Sequence, residues 1–488
     1  MLLESATPLP ATLEDAHAVI LDQQVRIANL ESQVESLQKQ LQELAEKLGS
    51  SSRTSSKPPS SDSPEQRALR PKRPGSSRNK GGQPGHPRHE RALLPEDQVD
   101  HIHSYFPENH CACGGSVAID WSNPYRHQVI DLPPPPVEVT EHRFYPGHCQ
   151  SCGLHHHSHW PDWVPSGQMG AGLITWVALL SGQFRLSMRQ IQQLLQELWR
   201  LPLSLGAISK AQGKTVDWMG EPYRQVGDYV RSQAVGHADE TRHYRGTSTY
   251  WLWSLSSGAF SFFMIHYSRG KQAAAALLGH FAGILVTDHF AGYADVPAER
   301  RQLCWAHLIR HFRKMAGRRG EGGRLGERLL LLAGAVVRTQ HRWQHQPEKT
   351  ERYRRRLHRL RRSFQRTLRD GSQLEHCHRT RNQCLHLLKD EAMCWTFLQD
   401  LRIPLTNNRA ERALRPYVQW RKTSFATQSA QGDRFRPMIL TMVGTAQQLG
   451  ISSASIMREI CSQGLARKPI SVRFPFLPQV ASNPHHRA

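Results

Sequence analysis

The run from QAVGHADET (233–241) through TYWLWSLSS (249–257), AFSFFMIHY (259–267), RGKQAAAALLGHF (269–281), GILVTDHF (283–290), RQLCW (301–305) and AHLIRHFRKM (306–315) decides the fold. Its first piece is a short apolar approach that ends in Asp239. The next two are strand-like runs dense in aromatic and aliphatic residues, joined at Ser257 and Gly258. A helix is expected over 269–281, then a buried strand ending in Asp288, another short strand and another helix.

Three meander strands, followed by helices interleaved with further strands, is the element order of an α/β ribonuclease H-like fold. In that topology one acid lies on the first strand and a second just past the fourth, where Asp239 and Asp288 fall. A long, mostly helical insertion follows, residues 317–400, including ERYRRRLHRLRRSFQRTLRD (351–370). Its many arginines and few acids suit a surface that tracks phosphates. A third acid, Glu411, arrives on TNNRAERALRP (406–416). This reads as a helix with Asn407 and Asn408 as capping candidates and Ala410, Ala413 and Leu414 as its buried stripe. Asn407 and Glu411 are four apart and share another face, with Arg415 one turn further on. Singly, each aspartate could be a turn or cap residue, and Glu411 could pair with Arg415 at the surface. Jointly, three converging carboxylates make a site for hard divalent cations such as Mg2+ or Mn2+, the chemistry of phosphodiester bonds.

Composition points to the same partner. Lys and Arg total 63 against 41 Asp and Glu, a net charge of +22, which favours a polyanion such as double-stranded DNA. No run of eighteen apolar residues occurs, and the N-terminal residues lack a signal-peptide pattern, so a cytoplasmic protein with no membrane partner is expected. Nine cysteines, four of them in two close pairs, suit metal binding in a reducing compartment.

The chain is expected to be multidomain. Over residues 16–48 an apolar heptad runs through Ile20, Ile27, Val34, Leu41 and Leu48 at one seam position and Gln23, Leu30, Leu37 and Leu44 at the other, predicting a parallel, leucine zipper-like coiled coil and hence a homodimer. Residues 49–92, rich in Ser, Pro, Gly and basic side chains, read as a disordered basic linker. Residues 93–165 read as a zinc-finger-like DNA-binding module: Cys111 and Cys113 in HCACGG, and Cys149 and Cys152 in GHCQSCG, would present four thiolates to a structural Zn2+. The first pair is one residue tighter than the usual spacing, and His110 with Cys113 restores it, so His110 is an alternative ligand. Residues 166–232 form a helical connector with a faint helix-turn-helix resemblance. The catalytic domain would run over 233–316 and, after the insertion, 401–450, with 451–488 as a C-terminal extension.

The segments HADET, TDHFAGY, CWAHLIRHF and PLTNNRAERALRP resemble the transposases of the insertion sequence 66 family of bacterial mobile elements. The similarity extends to the zipper, the SSKPPSSD and GGQPGH linker, the cysteine module, RKTSFATQSAQGDR and LTMVGTAQQLG. It implies a DDE transposase whose metal-binding catalytic triad is Asp239, Asp288 and Glu411. Two ions would be held, with Asp239 between them, to cleave the ends of the element at its terminal inverted repeats and join them to target DNA. Cys304 and His307 match a C-x-x-H signature of transposases with a helical insertion, here read with Asn407 as structural support of the site. Small accessory proteins of the same element and a nucleoid location are further implications. Two other readings use the same residues: a metal-dependent nuclease that cuts without joining, and a transposase-derived DNA-binding protein whose chemistry is lost.

Overall fold

The computed structural model describes residues 12–48, 92–122, 124–130, 137–161, 164–472 and 474. The expected linker, residues 49–92, lies outside the described residues except for Ala92, as does the end of the C-terminal extension, 475–488. The chain divides into two compact units. One comprises the described residues among 70–158 and 189–205, the other those among 1–69, 159–188 and 206–488. Among the described residues, no helix is long and apolar enough to cross a membrane.

The helix α1 spans Leu13–Leu48. Its seam residues Ile20, Ile27, Leu30, Val34, Leu37 and Leu41 are 51–68% exposed, so the chain itself does not bury the apolar stripe. The side chains of Leu44 and Leu48 lie outside the described ones.

The smaller unit is built on two hairpin knuckles. In one, β1 (Gly147–His148) pairs antiparallel with β2 (His155–His156). In the other, His110 and Ser116 form a single antiparallel bridge. The described segments between them form no further strand. The helix α3 (Met188–Trp199) belongs mostly to this unit; α2 (Ala171–Gly182) belongs to the other.

The larger unit is a mixed α/β layer structure, compatible with a ribonuclease H-like domain. After α4 (Leu205–Trp218) and α5 (Gly220–Arg231) comes a five-stranded sheet: β3 (Val235–Arg245), β4 (Ser248–Ser257), β5 (Phe260–His266), β6 (Ile284–Thr287) and β7 (Arg301–Leu303), in the spatial order β5-β4-β3-β6-β7. The first three strands are antiparallel; β6 joins β3 in parallel and β7 joins β6 in parallel. Between β5 and β6 lies α6 (Lys271–Leu278), the crossover that parallel pairing requires. Asp239 does not end its strand as expected. Pairing with β4 continues from His237 to Arg245, because Thr241, His243 and Arg245 find partners in Leu252, Tyr250 and Ser248. The first acid therefore sits mid-strand, beside the point where β6 stops.

Behind β7 come α7 (Trp305–Ala316) and the insertion helices α8 (Gly320–His345), α9 (Thr350–Ser372) and α10 (His378–Lys389). The last helices are α11 (Asn408–Thr423), α12 (Ala430–Leu449) and α13 (Ser453–Leu465). One core joins the antiparallel strands to α11, α12 and α13 through Trp253, Phe263, Tyr417, Phe435 and Ile439. A second joins β6, β7 and α7 to the insertion through Trp305, Phe312, Phe364, Trp395 and Phe397. Each such aromatic, fully buried, contributes on the order of 2 to 3 kcal/mol, so the insertion is fixed to the sheet through a shared core. Gly326 allows the tight α7–α8 corner: a Cβ there would lie 2.2 Å from the main-chain nitrogen of Ala316.

Candidate active site

The three acids arrive on separate elements: Asp239 from the middle of β3, Asp288 from the residue after β6, and Glu411 from the first turn of α11. The ligand atoms of the three acids do not gather within 4.8 Å of one another, yet their charges reach Asp239, whose carboxyl is held well above the ordinary carboxylate range. Removal from water is the main cause, and the negative charges of Glu240, Asp288 and Glu411 add to it. The Oε1 atom of Glu411 is buried without a hydrogen-bond partner among the described residues. The His307 imidazole Nε2 and the guanidinium Nη2 of Arg310 both stand 3.6 Å away. Arg415 is exposed and is not among these partners. Carboxyl groups offer only oxygen donors, the set that Mg2+ or Mn2+ takes, and the Glu411 oxygen is left without a hydrogen bond that a bound ion would have to displace.

The surrounding residues fix where each acid points. Asn407 directly precedes α11, but its side chain makes no cap. It is fully buried, and its Nδ2 donates to Ala238 O at 2.7 Å, continuing the β3 ladder where β6 has turned away. Its main-chain N–H donates to Cys304 Sγ at 3.1 Å. Cys304 N–H in turn donates to Thr287 O at 2.8 Å, and Trp305 N–H to Leu405 O at 2.9 Å. Burial holds the Cys304 thiol above its ordinary value. Cys304 and Asn407 thus tie the carriers of all three acids together. The imidazole of His307 is depressed by burial and by Arg310, with Asp288 and Glu411 opposing.

Two anchors had no distinguishing signal in the sequence. Arg301, only 3% exposed, wraps the Asp288 loop. Its Nη2 donates to Asp288 O at 3.0 Å and Phe290 O at 2.8 Å, and its Nε to Thr287 Oγ1 at 3.1 Å. Glu240, adjacent to Asp239 but on the opposite face of the strand, accepts from Arg269 Nη2 at 2.9 Å and from the Tyr293 hydroxyl at 2.9 Å. Burial and Asp288 push the Glu240 carboxyl up, while Tyr293 and Arg269 pull it down. The period of two along HADET could have shown that Glu240 faces away from Asp239.

Near Asp288 a cavity of about 470 Å3 is lined by Asp288, His289, His307, His311 and His386. Burial and the neighbouring His307 and His289 lower His311 to about 4, so it is neutral at physiological pH. A second cavity, of about 530 Å3, brings Arg185, Arg409 and Arg412 together with Gln183 and Gln419. On α9, Arg352, Arg355, Arg356, Arg359, Arg362, Arg366 and Arg369 are exposed, and none has an ion-pair partner among the described residues. Their three-and-four spacing puts them along one face about 25 Å long at 1.5 Å per residue.

In the smaller unit the cysteines sit at the knuckle tips. Cys149 N–H donates to Leu154 O and Gly153 N–H to Cys149 O, both at 2.8 Å. In the tighter knuckle Cys111 N–H donates to Gly115 O at 2.9 Å and Gly114 N–H to Cys111 O at 2.8 Å, closing one residue earlier. Each second cysteine is followed by a glycine in the left-handed region, Gly114 (φ 86°) and Gly153 (φ 72°), which the reversal requires. The Cys113 thiol is lowered by hydrogen bonds from Gly115 and Cys111, and that of Cys149 by Cys152 and Ser151. Among the described residues the two pairs do not gather into one cluster of ligand atoms, and His110 joins neither.

No curated protein matches the chain. Residues 6–92 match a family of unknown function (DUF6444), and residues 166–434 match the model of the Transposase IS66 family. That second match takes in α4 and α5, the whole sheet, the insertion and all three converging acids. With more than half of its residues in the match, the chain belongs to the IS66 family of transposases.

Proposed function

We propose that the protein is a DDE transposase that binds the terminal inverted repeats of its element, cleaves DNA there and joins the freed ends to target DNA. What supports this reading is the arrival of Asp239, Asp288 and Glu411 from three elements within reach of one another's charge, with Asp239 protonation favoured by burial and then by the other acids, and with Glu411 Oε1 buried without a hydrogen-bond partner. These three residues would hold two Mg2+ or Mn2+ ions. Ions in such a site lower the barrier for an in-line displacement at phosphorus by activating the attacking oxygen and stabilising the leaving one. The chain's own contribution is placement. Asn407 and Cys304 hold the Glu411 turn against β3, and Arg301 holds the Asp288 loop. Water displaces the 3′ oxygen at the element's end, which leaves as a hydroxyl. That hydroxyl then displaces a 3′ oxygen in the target strand.

The arginine face of α9 and the Arg185, Arg409 and Arg412 cavity supply phosphate contacts without reading sequence. Cys111, Cys113, Cys149 and Cys152 are proposed to hold a structural Zn2+, with His110 as the alternative to Cys111. Changing Cys149 and Cys152 to Ser should release one equivalent of zinc, and unchanged zinc content would exclude the assignment. The exposed stripe of α1 suits a parallel dimer that holds two ends at once.

The decisive experiment supplies end-containing duplexes and Mg2+ to the protein and to Asp239→Asn, Asp288→Asn and Glu411→Gln. The parent should cut and join, and each variant should bind DNA but do neither. Cutting without joining by the parent would favour the nuclease reading. Binding without either would favour a transposase-derived DNA-binding protein.

A further inference from the structure

We propose that His289, His386 and Asp390 form an additional metal site, for a transition metal of the zinc class, which clamps the helical insertion to the loop that carries Asp288. His289 follows Asp288 on that loop. His386 lies in the last turn of α10, and Asp390 is the residue just past it, so the two are four apart and project from one face. The site therefore joins the sheet to the insertion across about a hundred residues of sequence.

A hydrogen bond accounts for one of the distances in this group but not for the other. His289 Nε2 stands 2.6 Å from Asp390 Oδ2, His386 Nδ1 stands 4.0 Å from the same oxygen, and all three ligand atoms lie within 4.8 Å of one another. Tetrahedral zinc with bonds of about 2.0 to 2.1 Å separates its ligand atoms by about 3.3 Å. The present separations bracket that value, so seating an ion needs shifts on the order of an ångström. A hydrogen bond explains His289 with Asp390, but it leaves His386 without a role. At 4.0 Å it is not hydrogen-bonded to Asp390, and its ring meets that of His289 edge-on, 4.6 Å between centroids.

The donor set also separates this site from the carboxylate triad. Two imidazoles and one carboxylate select zinc-like ions, whereas Mg2+ takes oxygen ligands and keeps its water. The neighbouring acid, Glu391, is occupied by a two-pronged pair with Arg361 at 3.0 and 2.8 Å, so it does not compete for the metal. His386 is 64% exposed, and the cavity of about 470 Å3 beside it provides an entry path and room for a water as fourth ligand.

The test uses Co2+ as a visible zinc substitute on the full chain, in excess Mg2+ to occupy all-oxygen sites. Cysteine-bound Co2+ shows near-ultraviolet thiolate charge transfer; a histidine and carboxylate site shows only the visible bands. The parent should bind one more equivalent lacking the thiolate band than His386→Ala does. In Asp390→Asn, which keeps an acceptor for His289 but loses the charge, zinc affinity at this site should fall by at least about 100-fold, more than loss of an outer hydrogen bond costs. Zinc should raise the melting temperature of the parent more than that of either variant, while the chelator-treated proteins melt together. Equal stoichiometry and equal stabilisation in parent and His386→Ala would overturn the proposal and leave His289 and Asp390 as a hydrogen-bonded pair.

Discussion

Replacing Asn407 with Ala removes one hydrogen bond and leaves every charged group in place. The side chain is fully buried, and its amide is the partner of Ala238 O, one residue before Asp239. Without it a main-chain carbonyl is left unsatisfied inside the protein, at a cost of about 1 to 3 kcal/mol. For a unit of this size that lowers the melting temperature by roughly 1 to 4 °C. The second tether, Asn407 N–H to Cys304 Sγ, belongs to the main chain and survives. The first turn of α11 would stay docked but less well placed. Since a 1 Å displacement at a reacting centre costs on the order of 100-fold, strand transfer should fall by about that factor while DNA binding stays within about two-fold. Asn407→Ser separates this role from capping, because serine caps as well as asparagine but is too short to reach Ala238 O. Gel assays of end joining, with melting curves beside them, give both readouts. A serine variant that joins ends at the parental rate would show that Asn407 matters as a cap, and an alanine variant at the parental rate would show that the tie to β3 is irrelevant.

Asp239→Asn should abolish the reaction and yet raise the melting temperature of the metal-free protein at neutral pH. Because the folded-state value of Asp239 is raised, the metal-free parent should gain stability as pH falls from that value toward the ordinary carboxylate range and level off below it; calorimetry in chelator would detect the opposite slope. Arg301→Lys keeps the charge but cannot hold Thr287, Asp288 and Phe290 together, so joining should drop at least about ten-fold with DNA binding retained, and unchanged kinetics would remove Arg301 from the account. Changing Leu30 and Leu37 to Lys should yield monomers that bind single ends but fail to join them; sedimentation at the parental mass would move the dimer interface away from α1.

The sheet was legible in the sequence because its signals are local: aromatic runs of period two, a Gly-marked turn at Ser257 and Gly258, and an alanine-rich crossover. The extent of β3 was less so. The half after Asp239 is polar, and it is held as a strand by β4 and by the Asp433 carboxylate, which binds His243 and Arg245 from nearly two hundred residues away. Asn before a helix is commonly a cap, and the sequence offers Asn407 both as that and as support of the site; only the fold reveals that the support is a bond to a strand carbonyl. Arg301 and the His289, His386 and Asp390 group depend on contacts between distant segments, for which single residues in RQLCW or in an arginine-rich insertion give no periodic cue.

The chain leaves the sheet at Trp305, runs through α7 and the insertion, and returns at Leu405, which accepts a hydrogen bond of 2.9 Å from the Trp305 N–H. The order of synthesis then has a bearing on safety. Asp239 and Asp288 are made early, but Glu411 follows Asp288 by about 120 residues, which at about 5 to 20 residues per second is roughly 6 to 25 s of translation. The emerging chain already carries the basic residues of 49–92, and on the proposed function it would meet nearby DNA during that interval. It cannot complete the carboxylate triad until the insertion has folded and brought the chain back to β3, so a truncated or stalled product would be a DNA binder without a blade.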